Sequence, residues 1–77
     1  MLGYKKIWRV SINNADDDII YVIATNIDSI FEKWYKIEDK FDHNKNDIKS
    51  IEVYGADPDD IEYFNDSFKK CLIDITK

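Results

Sequence analysis

Over residues 5–12 apolar and polar positions alternate. Trp8, Val10 and Ile12 fall on one side of an extended chain, and Lys5, Ile7, Arg9 and Ser11 on the other. Asn13-Asn14-Ala15-Asp16-Asp17 then supplies residues that favour turns. A second strand follows over 18–25, so the pair predicts an antiparallel hairpin. Within that strand, Ile19-Ile20-Tyr21-Val22-Ile23 does not alternate. Neighbouring strand residues point to opposite faces, so an apolar run of this kind requires a cover on both.

The period changes after Thr25. Ile27, Ile30, Phe31, Trp34, Ile37 and Phe41 recur at spacings of three and four, which predicts a helix over 27–41 with one apolar stripe. Thr25-Asn26-Ile27-Asp28 reads as a capping box with Thr25 as the cap, and Glu32 to Lys36 is a favourably oriented pair. Phe31, Trp8, Trp34 and Phe41 are all expected in the core. Residues 48–54 read as a third strand. Asp57-Pro58-Asp59-Asp60 opens a helix from about residue 58, with proline at the first helical position and acids at the positive dipole end. From there two readings stand. Ile61, Phe64, Phe68, Leu72 and Ile75 fit one helix to the last residues, whereas Asn65-Asp66-Ser67 fits an interruption before a strand at 70–76; the short helix plus strand is preferred. The expected class is α+β: a single domain over 1–77, with a small antiparallel sheet packed on helix 27–41.

Size sharpens the question of the second face. A chain of 77 residues is near the lower limit for folding unaided, and oligomerisation often assists such domains. One cysteine, Cys71, excludes an internal disulfide, and with one histidine, His43, it excludes a zinc site built from cysteine and histidine. Cys71 reads as a small buried hydrophobe. Helix 27–41 covers Ile20, Val22 and Ala24, leaving Ile19, Tyr21 and Ile23. Either residues 58–77 fold over them, or they form an exposed binding sheet together with Ile7; the binding sheet is the preferred expectation, with Tyr35 a further exposed contact.

Charge adds a second candidate surface. The net charge of −5 argues against general nucleic-acid or anionic-membrane binding. Asp57 to Asp66 holds five acids and no base, enough to account for that whole value. Asp57, Asp59, Asp60 and Glu62, with Tyr63 among them, suit a basic surface on another protein. Asp16-Asp17-Asp18 lacks the spacing and glycine of a calcium loop and reads as a solvated hairpin tip. His43, between Asp42 and Asp47, reads as an exposed loop residue and not a general base. Gly3 and Gly55 are isolated, so no phosphate loop is present. No membrane span or signal-peptide pattern is visible, and the expected location is cytoplasmic.

The size, the composition rich in Ile, Lys, Asn and Asp, and the hairpin–helix–strand layout together resemble small acidic phage-encoded accessory proteins, among them anti-CRISPR and other anti-defence inhibitors. That resemblance covers style and layout and carries no individual functional residue. It implies a protein that occludes a host or defence nuclease or its regulator. The residues themselves, which offer no catalytic set, metal motif or phosphate loop, lead to the expectation of a protein that is not an enzyme and needs no cofactor, with a homodimer as one assembly. The alternative is a binder that sequesters a nucleotide at a homodimer interface, with tyrosines stacking the base and Lys5, Lys6, Arg9, Lys33 or Lys36 meeting its phosphate.

Overall fold

Three strands form where the sequence predicts them: β1 (Lys6–Ile12), β2 (Ile19–Ala24) and β3 (Ile48–Val53). A computed structural model describes residues 4–13, 18–55 and 57–76. Asn14, Ala15, Asp16 and Asp17 of the expected turn and acidic tip lie outside the described residues, as does Gly3. Both β2 and β3 run antiparallel to β1, in registers that place Trp8 opposite Val22 and Val53. Partners across a ladder share a face, so Trp8, Val10, Ile20, Val22, Ile51 and Val53 point to one side. Ile7, Arg9, Tyr21, Ile23 and Glu52 point to the other.

The last strand, β4 (Leu72–Asp74), lies parallel to β2, with Tyr21 beside Leu72 and Ile23 beside Asp74. The sheet is therefore mixed, in the order β3-β1-β2-β4, and the antiparallel expectation fails at this strand alone. A parallel neighbour needs a crossover connection, here the whole passage from β2 through the helices and β3 to residue 71. The expected α+β class holds, and so does the short helix followed by a strand. The segment after Asp57 begins as a 3₁₀ turn over Pro58–Tyr63, not an α-helix, and helix α3 occupies Asp66–Lys70.

The apolar stripe of 27–41 forms two helices, α1 (Ile27–Glu32) and α2 (Trp34–Phe41). Lys33 breaks between them at φ −108° and ψ 22°. Beyond the break Trp34 and Ile37 are buried, and Trp34 Nε1 donates to the His43 carbonyl at 2.8 Å. Before it only Ile30 is fully buried, so Phe31, expected in the core, is left 41% exposed. Asn26, not Thr25, is the N-cap: its Oδ1 accepts from the Ser29 amide at 2.8 Å, satisfying one of the free donors of the first turn. Lys36 Nζ donates to the Ile75 carbonyl, which ties the outer side of α2 to the end of the chain.

The principal core lies between the sheet and α1–α2. It consists of Trp8, Val10, Ile12, Ile20, Val22, Ala24, Ile30, Trp34, Ile37 and Ile75. Trp8 Nε1 donates to the Ala24 carbonyl inside it, giving the buried indole N–H its partner.

Candidate binding surface

The second sheet face is closed by the chain itself. Ile7, Ile23 and Leu72 form a smaller buried cluster, with Tyr21, Phe64 and Phe68 packed against it. Phe68, delivered by α3, stacks on Tyr21 with ring centroids 4.2 Å apart. Tyr54 meets Tyr21 edge-on at 4.9 Å, and Phe64 meets Phe68 edge-on at 4.7 Å. The local sequence explains the placement. Asn65 caps α3 by accepting from the Phe68 amide at 2.8 Å, which sets the helix start so that Phe68 falls over β2. The chain then enters β4 through a Tyr21 amide to Cys71 carbonyl bond of 2.7 Å.

Ile23 is thus only 2% exposed, and Tyr21 lies within an aromatic cluster. The expectation of an exposed binding sheet at Tyr21 and Ile23 is corrected: residues 64–74 supply the missing cover, because leaving that much apolar surface wet costs more than folding the segment over it. Ile19, at the far end of β2, is half-buried. Cys71 is also half-buried, not the buried hydrophobe expected.

What remains outside is the acidic segment. Asp57, Asp59, Asp60, Glu62 and Tyr63 are all exposed, Tyr63 at 79%. Asp57 organises it: Oδ1 accepts from the Asp59 amide at 2.9 Å and its carbonyl accepts from the Asp60 amide at 3.0 Å. Gly55, at φ +86°, makes the turn that leads from β3 into this segment. Among the described residues none of the four carboxylates forms an ion pair; elsewhere Arg9 pairs with Glu52 at 3.3 Å, and His43 Nε2 lies 3.5 Å from Asp18 Oδ2. His43 is therefore not the freely exposed loop residue expected, its side chain being 17% exposed.

Between the start of β1 and the acidic segment lies an open cleft of about 590 Å³, bordered by Tyr4, Lys5, Lys6, Val53, Asp57 and Asp59. Tyr4 and Val53 are 76% and 51% exposed. Sequence reasoning passed over both residues. The signal for Val53 was the charged and polar make-up of Ile48-Lys49-Ser50-Ile51-Glu52-Val53, which suits an edge strand better than a central one. Tyr35 lies elsewhere, exposed on α2 beside Glu38, Asp39 and Asp42. The bases that would serve a phosphate are divided: Lys5 and Lys6 line the cleft with two carboxylates, Arg9 pairs with Glu52, and Lys36 donates to Ile75.

The fold and surface define a small α+β domain with a mixed four-stranded sheet, closed on both faces. Comparison of the chain with protein-family models, curated proteins and solved structures finds no match. Among the described residues, no helix is long and apolar enough to cross a membrane.

Proposed function

We propose that this chain is a protein-binding module that inhibits or modulates a partner by covering part of its surface, docking through the acidic segment 57–63. One observation carries the reading: four carboxylates that form no ion pair among the described residues, and a tyrosine, stand exposed on a segment between β3 and α3, with Lys69 Nζ donating to the Glu62 backbone carbonyl at its far end. Both of those elements are fixed by the aromatic cluster of Tyr21, Tyr54, Phe64 and Phe68. A positioned acidic surface loses less ordering entropy on binding than a loose one, and its charge speeds encounter with a basic partner. The phage anti-defence setting implied by the resemblance fits this chemistry, since proteins that handle nucleic acid carry basic surface.

The test is quantitative affinity capture from the native host, with the chain and an Asp59→Lys/Asp60→Lys/Glu62→Lys variant as paired baits across a salt series. The expected result is a basic protein retained by the parent chain at low salt, released as salt rises, and absent from the variant. Equal retention by both baits contradicts the proposal.

A further inference from the structure

The two edges of the sheet are treated differently. β4 is three residues long, and its outer side is met by α2, where Lys40 Nζ donates to the Leu72 carbonyl at 2.7 Å. That is a protected edge. β3 is six residues long and, among the described residues, has no strand beyond it. Its bond from the Tyr54 amide to the Ile7 carbonyl, at 2.8 Å, fixes which residues face β1. Glu52 and Tyr54 turn their backbone groups inward; Ile51 and Val53 therefore turn theirs outward, and among the described residues nothing receives them. The register shift opposite Ser11 and Ile12 makes Lys49 an extra residue near the start of β3. The bulge discourages pairing there but leaves 51–53 regular.

We propose that this outer edge of β3 is where an extended, basic segment of the partner docks, adding a fifth strand that runs past Val53 into the cleft beside Asp57 and Asp59. This rests on the reading of the chain as a protein-binding module and specifies the mode. Backbone pairing supplies affinity, and alternate side chains supply selectivity. Side chains opposite Ile51 and Val53 share the helix-covered side, where Val53 is half exposed and apolar neighbours fit. A side chain opposite Glu52 shares the other side, where the Glu52 carboxylate is 60% exposed and has room for a second cation beside Arg9. Beyond the strand end, Asp57 and Asp59 border the cleft together with Lys5 and Lys6. Of those two lysines, Lys6 Nζ is held 6.0 Å over the Trp8 ring. A second copy of this chain is the poorer occupant, since each copy brings a net charge of −5.

The experiment is an amide NMR titration of the full chain with a peptide of about ten residues alternating valine and lysine, long enough to span the strand. A second arm uses the same peptide with alternate backbone amides N-methylated, which keeps charge and shape but removes strand pairing. The expected result is saturable shifts at Ile51 and Val53, slowed exchange of both amides, and an affinity loss of about tenfold or more on N-methylation. Shifts confined to 57–63, with equal affinity for both peptides, overturn the edge and leave acidic docking standing. No shift at about millimolar peptide also overturns it. Shifts at Ile51 and Val53 that appear on concentrating the chain alone assign the edge to a second copy and overturn the basic occupant.

Discussion

Phe68→Ala removes the ring that closes the second face of the sheet. Phe68 lies 4.2 Å from Tyr21, 4.7 Å from Phe64 and 5.4 Å from Tyr54, measured between centroids, so three aromatic contacts are lost together. Truncating a fully buried phenylalanine costs about 3–5 kcal/mol. Phe68 is mostly but not fully buried, and scaling for the part left exposed gives about 2–3 kcal/mol, of which a well-placed aromatic pair contributes about 1 kcal/mol. For a domain of this size each kcal/mol moves Tm by roughly 4–8 °C, so a fall of about 10–20 °C is expected. The assay is urea and thermal unfolding followed by near-ultraviolet circular dichroism, with Tyr63→Ala as the control. Tyr63 is exposed and should change stability by less than about 0.5 kcal/mol. A Phe68→Ala loss as small as the control's would refute the reasoning, because α3 would then not be the cover of β2.

Two further changes test local structure. Asn26→Ala should cost about 1 kcal/mol by removing the acceptor of the Ser29 amide, while Thr25→Ala should cost clearly less in the same urea titration. Trp34→Phe keeps most of the buried ring but removes the donor to the His43 carbonyl; about 1 kcal/mol should be lost, with a local NMR shift at His43.

The hairpin, the helical stretch and the third strand were legible because each carries its own period: alternation over 5–12, the three-and-four spacing of Ile30, Trp34 and Ile37, and short apolar runs bounded by polar turns. The unbroken run Ile19–Ile23 correctly required two covers. What it does not encode is which segment supplies the second. That depends on Phe68 meeting Tyr21, a contact across 47 positions that no local pattern specifies. The parallel placement of Leu72–Asp74 has the same origin, since three residues carry no period of their own. The break at Lys33 was hidden for a different reason: the apolar spacing continues through it, and tertiary packing of Trp34 overrides local helix preference. On the surface, the acidic segment was read directly from composition, whereas the free edge of β3 is set by strand order, and the polar make-up of 48–53 marks only a strand suited to an edge.

The central claim is that the chain closes its own second sheet face and leaves β3 as its one open edge among the described residues. Amide hydrogen exchange of the full chain at low concentration tests it most directly. The account predicts strong protection at Tyr21 and Ile75, whose amides bond to Cys71 and Ile23 across the β2–β4 ladder, and rapid exchange at Ile51 and Val53. Rapid exchange at Tyr21 and Ile75, or protection at Ile51 and Val53 in the free monomer, would contradict it.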